Sequence, residues 1–123
     1  MSVNAYQVYK RTQVSTASQG ELLLMLFDGA IRFAHQAREH IEKGELEQAN
    51  ERLLRAQDIV TELTVSLDLD TGEIAQNLYL LYTYIYERLV QANIKKDLEQ
   101  LDEAVNMLEE LRDTWRQVVS KAG

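Results

Sequence analysis

The segment Ile74–Ile94, IAQNLYLLYTYIYERLVQANI, limits the possible folds of this chain more than any other. Fourteen of its 21 residues are apolar or aromatic. One stripe, Ile74, Leu78, Leu81, Tyr82, Ile85, Leu89 and Ala92, repeats at the three-and-four spacing of a helix face. A second, Tyr79, Tyr86, Val90 and Ile94, lies roughly 100° round the same helix, the angle each residue advances. Tyr84 and Leu80 fall on neither. A helix with one apolar stripe joins a core on that side, whereas one apolar nearly all round must be covered on a second side as well. The spacing predicts that three other helices cover the first stripe and that a partner polypeptide covers part of the rest.

Those other helices are readable. The first is expected over 18–43, with Ser18 and Glu21 at capping-box spacing and Gly44 as a left-handed stop. Leu23, Phe27, Ala30, Ile31, Ala34 and Ile41 form its core stripe, and Leu22, Leu26 and Phe33 an extra flank. The second spans 45–67 on a seven-residue seam of Leu46, Ala49, Leu53, Ala56, Val60, Leu63 and Leu67. Beside that seam lie Leu54, Thr61 and Val65, with Ile59 on the opposite flank. Asp68 to Gly72 suits a tight turn. The third helix then runs 72–95 and the fourth 97–119, capped by Asp97 with Gln100 completing the box. The fourth carries one clear face of Leu98, Leu101, Val105, Leu108, Leu111, Trp115 and Val118. Four such helices with short connections predict an all-α, antiparallel four-helix bundle in one domain over 1–123. Residues 1–15 form an N-terminal arm too short for an independent helix. Its Tyr6 and Tyr9 either rest on the bundle or serve as a detachable cover over a partner site.

Zero prolines and five glycines fit long helices. Zero cysteines exclude disulfides, thiolate metal sites and cysteine nucleophiles. No signal-peptide pattern and no run of about 18 apolar residues is present, so a cytoplasmic protein without membrane insertion is expected. A net charge of -7 works against nucleic acid, and Lys10-Arg11 and Lys95-Lys96 are the sole adjacent basic pairs. A di-iron bundle needs Glu-x-x-His pairs, yet Arg32 and Ala37 stand three before His35 and His40. His35 has no Lys-Gly pair directly after it, against a phosphotransfer module. No phosphate loop or nucleophile triad is singled out by spacing. Neither enzyme activity nor a metal or other cofactor is expected.

Excess apolar surface remains. The second and third helices carry their extra stripes on the same rotational side. Whether those flanks meet as a groove or diverge depends on the handedness of the bundle, which no sequence pattern sets. Tyrosines packed at a bundle rim, or a homodimer, would use the same surface without a foreign ligand. A groove would suit an amphipathic or extended peptide. The residues put forward as partner-binding are Tyr6, Tyr9, Leu54, Ile59, Thr61, Val65, Tyr79, Tyr84, Tyr86, Val90, Asn93 and Ile94.

The order of motifs resembles the FliS family of flagellin-specific export chaperones. It is carried by AYQVY at Ala5–Tyr9, VSTASQGELLLMLFDGAIRF at Val14–Phe33, RAQDIVTEL at Arg55–Leu63, NLYLLYTYIYERLVQAN at Asn77–Asn93 and LEELRDTW at Leu108–Trp115. Gln19 departs from a usual proline, and Phe27 from a frequent tyrosine before Asp-Gly. The resemblance implies a cytosolic chaperone that wraps the disordered C-terminal region of flagellin, blocks its polymerisation and keeps it competent for type III export, without nucleotide. It also implies that the arm occupies part of the client's site. Contacts with export-gate components or a co-chaperone would belong to the same role, as monomer or weak homodimer. The reading set against it is a homo-oligomeric scaffold or adaptor with no flagellin client.

Overall fold

A computed structural model describes residues 19–122. Four helices follow one another: α1 (Gln19–Glu42), α2 (Leu46–Val65), α3 (Glu73–Lys95) and α4 (Leu98–Ala122), with a single 3-10 turn, Leu69–Thr71, before α3. Ser18 and the arm with Tyr6 and Tyr9 lie outside the described residues. Each helix packs on its neighbours in the chain, and α1 closes the ring by packing on α4. This is an antiparallel four-helix bundle with α1 diagonal to α3.

Local chemistry sets the corners. Gly44 takes φ +75°; the Glu45 N–H reaches the His40 carbonyl at 2.8 Å and the Gly44 N–H the Ile41 carbonyl at 3.0 Å, a paired closure of α1's last turn. The Asp68 carboxylate accepts the Asp70 N–H at 3.1 Å in the next corner. At the third, Lys96 adopts the left-handed conformation, φ 50°, and the Asp97 N–H reaches back to the Ala92 carbonyl. Asp97 then caps α4 by accepting the Glu99 N–H at 2.9 Å. The Gln100 amide bonds that carboxylate rather than the Asp97 N–H, which is already taken by Ala92.

Leu53, Leu63, Ile85, Leu89, Leu101 and Leu108 are fully buried, each contributing on the order of 2 kcal/mol through lost apolar surface. The edge of the Phe27 ring meets Tyr82 across the diagonal, centroids 6.2 Å apart. Around this core α1 is drawn in closely. A methyl added at Gly20 would meet Val119 Cγ2 at 2.7 Å, and one at Gly29 would meet Ile59 Cδ1 at 3.2 Å. The Trp115 indole N–H donates to the Gly20 carbonyl at 3.1 Å, pinning the start of α1 to α4. Arg38 forks onto both carboxylate oxygens of Asp102, at 2.8 and 3.0 Å, tying the other end of α1 to α4. That hydrogen bond holds the Asp102 carboxyl below its ordinary range.

Six apolar residues differ from expectation. Leu22 and Leu26, expected as a flank of α1, are core residues, because the close approach to α2 widens α1's buried arc. Ile74 is 78% exposed and Leu81 is exposed as well, although both fall on the main stripe of α3. Ile74 lies in the first turn of α3, and Leu81 stands one turn before Tyr84, on the side that carries the bond to Glu103 of α4, while Ala75 is buried. Leu46 and Val118, at the outer ends of their stripes, are also exposed.

Candidate functional site

On its α2 side, α3 presents Tyr79, Thr83, Tyr86 and Glu87 to Thr61, Thr64 and Val65 of α2, enclosing a shallow depression of about 210 Å³. The two flanks therefore meet. Tyr79 is 41% exposed, Tyr86 37% and Val65 70%, so these side chains form walls with open outer surfaces. Two of the polar residues contribute chiefly carbon. The Thr64 hydroxyl donates to the Val60 carbonyl at 2.9 Å and the Thr83 hydroxyl to the Tyr79 carbonyl at 2.8 Å. With those hydrogens spent inside their own helices, less directional hydrogen bonding is left for the depression. Towards the end of α3 the same flank continues through partly buried Val90 to exposed Ile94, with exposed Leu54 on α2. Asn93 crosses to α2 by donating from Nδ2 to Asn50 Oδ1 at 2.8 Å. From Tyr79 to Ile94 the trough is about 22 Å long at the helical rise of 1.5 Å per residue.

Leu54, Thr61, Val65, Tyr79, Tyr86, Val90, Asn93 and Ile94 thus share one flank of the α2–α3 pair. Two residues put forward with them lie elsewhere. The Tyr84 hydroxyl donates to Glu103 of α4 at 2.6 Å, and the Arg88 guanidinium sits 5.2 Å from its ring centroid. The Glu103 carboxylate pushes its phenol pKa up. Ile59 points the other way, into a second depression between α1 and α2.

That second depression was not foreseen. It is larger, about 640 Å³, and is lined by Met25, Leu26, Gly29, Phe33 and Ile59 under a rim of Arg32, Arg55, Asp58 and Glu62, with Thr61 on the ridge shared with the trough. Arg32 and Arg52 each place a guanidinium 5.6 Å from the Phe33 ring centroid. Leu26 and Gly29 at its floor are buried, Phe33 and Ile59 are half-buried, Met25 is exposed, and its rim carries both signs of charge. The α1–α2 depression is the larger of the two; what sets the trough apart is a run of exposed aromatic and aliphatic side chains, Val65, Tyr79, Tyr86 and Ile94, along one flank, the kind of surface that drives association. Gly29 opposite Ile59 was the sequence signal for it, visible only once α1 and α2 are known to touch there.

No group of three or more His, Asp or Glu among the described residues is placed to hold a metal ion. No described helix is long and apolar enough to cross a membrane. Comparison with known proteins identifies what kind of bundle this is. The family model described as "Flagellar protein FliS" matches residues 2–122. The chain belongs to the FliS family. It is 40% identical to the flagellar secretion chaperone FliS of Bacillus subtilis over 94% of this chain and 86% of that protein. It is 37% identical to the FliS of Salmonella typhimurium, over 98% and 91%. A solved structure described as a flagellar chaperone from bacteria superposes with a TM-score of 0.78, covering 96% of this chain and 99% of the other at 20% identity, which establishes the shared fold. Membership of this family makes the chain a flagellar secretion chaperone.

Proposed function

We propose that this FliS protein is a cytosolic holding chaperone whose client is the disordered C-terminal segment of flagellin, kept from polymerising and competent for type III export. The observation that supports this reading is the trough: exposed Tyr79, Tyr86, Val65 and Ile94 on one continuous flank of a chaperone-family bundle. A disordered client loses conformational freedom on docking, so it needs a long apolar contact rather than a small polar pocket. Tyrosines suit this because each buries much area with few rotatable bonds. Tyr6 and Tyr9 of the arm would compete for the same apolar surface, which lowers client affinity until they are displaced. Release needs no chemistry, only a competing site at the export apparatus.

Calorimetric titration with a peptide covering roughly the last forty residues of the source bacterium's flagellin tests the proposal. Tyr86→Asp places a charge on the trough wall, where an unpaired carboxylate covered by client costs several kcal/mol. Binding is expected to weaken at least 100-fold while the helical signal and melting temperature hold. Wild-type affinity in Tyr86→Asp contradicts the assignment. A stable dimer by sedimentation that ignores the peptide would instead support a scaffold built from copies of this chain.

A further inference from the structure

The apolar walls of the trough attract a client but do not say where along it each client residue should sit. Hydrophobic contact is non-directional, and the hydroxyls of Thr61, Tyr79 and Tyr86 rotate to donate or accept alike. Glu87 only accepts. The polar groups of fixed direction and donor character are at the Asn50–Asn93 bridge. Lys96 Nζ donates to Asn93 Oδ1 at 2.8 Å and to the Asn93 carbonyl at 2.6 Å. With Oδ1 so engaged, Asn93 must turn Nδ2 towards α2, where Asn50 Oδ1 accepts one of its N–H groups at 2.8 Å. Asn50 in turn must point its own Nδ2 away from the bridge. Among the described residues no acceptor takes either N–H of Asn50 Nδ2 or the second N–H of Asn93. Asn50 is exposed, so water satisfies these donors while the trough is empty.

A segment lying along the trough from Tyr79 to Ile94 passes over this bridge and removes that water. Donors covered without acceptors are penalised more heavily than a paired bond is rewarded. We propose that the Asn50–Asn93 bridge is a specificity-determining element that donates its spare amide N–H groups to backbone carbonyl oxygens of the bound client and so fixes its register. This rests on the trough being the client site. A single polar pair in an apolar seam has that effect in paired helices, where it selects one register among several of similar hydrophobic content. Lys96 acts as a positioning residue by locking the Asn93 amide.

The chain has no cysteine, so Thr83→Cys introduces a unique thiol in the trough. Disulfide trapping against a panel of flagellin C-terminal peptides, each with one cysteine at a successive position, then maps register. In the Thr83→Cys background one or two adjacent peptide positions are expected to dominate. Adding Asn50→Leu, at an exposed position that leaves folding intact, is expected to spread trapping over positions up to a helical turn away while affinity stays within about tenfold. The isosteric Asn50→Asp keeps the acceptor facing Asn93 but replaces the outward donors. It is expected to weaken binding at least tenfold more than Asn77→Asp, which adds the same charge outside the trough. An unchanged trapping pattern in Asn50→Leu, or equal affinities for Asn50→Asp and Asn77→Asp, overturns the inference while leaving the client site standing. Failure of the peptides to bind the Thr83→Cys protein at all overturns both.

Discussion

α1 and α3 occupy opposite corners of the bundle, each between α2 and α4, yet one buries most of its apolar side chains and the other leaves many of them exposed. On α1, Leu22, Leu26, Phe27 and Ile31 are all buried. On α3, Ile74, Leu80 and Ile94 are each more than 60% exposed, and Tyr79, Tyr84 and Tyr86 stand partly in solvent. The flanks explain the difference. α1 meets its neighbours through Gly20, Gly29 and a row of alanines, Ala30, Ala34 and Ala37, so helix axes approach and most of its apolar side chains are buried, with the depression beside Gly29 left open between α1 and α2. α3 meets α2 through Tyr79, Thr83, Tyr86 and Val90, whose bulk leaves a trough between the helices. Similar apolar content therefore yields core in one corner and binding surface in the other, according to the size of the flanking residues.

The same substitution, leucine to alanine, separates the two corners most clearly. Leu26→Ala on α1 is expected to lower unfolding free energy by about 2–4 kcal/mol, since a buried methylene cluster is lost and a cavity left. Leu80→Ala on α3 is expected to change it by less than about 0.5 kcal/mol. Urea denaturation of both variants measures the contrast, and equal losses would mean that α3 is as sealed as α1. Next in size, Gly29→Leu forces a side chain against Ile59 and is expected to cost roughly 1–3 kcal/mol by overpacking. Client affinity should hold in Gly29→Leu, because the trough lies on the other flank of α2.

Tyr82 supplies a smaller effect that belongs to α3's inward face alone. Burial raises its phenol pKa to about 12 from an ordinary 10. The folded state binds this proton more tightly than the unfolded chain does. Stability from Tyr82 is therefore fully present below pH 10 and lost as pH rises towards 12. Thermal melts of wild type are expected to fall by roughly 1–2 kcal/mol more than those of Tyr82→Phe across that window. Parallel decline of the two proteins would remove burial of the phenol as the cause.

Helix order, the corner chemistry of Gly44 and Asp97, and the surplus on α3 were legible because periodicity and cap residues act locally. So were Thr61, Val65, Tyr79, Tyr86, Val90 and Ile94 as flank positions, since angle around a helix follows from residue number. What periodicity could not supply was distance between helices and the identity of each neighbour. That is why Leu22 and Leu26 read as flank, Ile74 and Leu81 as core, and Tyr84 as part of a surface it turns away from. The α1–α2 depression went unread for the same reason: Gly29 makes it only by facing Ile59, a contact 30 residues apart in the chain.

Hydroxyl-radical footprinting of the tyrosines, with and without saturating flagellin C-terminal peptide, bears on the open corner itself. Tyr79 and Tyr86 are expected to lose most of their reactivity when the client is bound, while already buried Tyr82 stays unreactive in both states. Unchanged reactivity of Tyr79 and Tyr86 under a saturating, calorimetrically verified client would place the client elsewhere and leave the trough without its function.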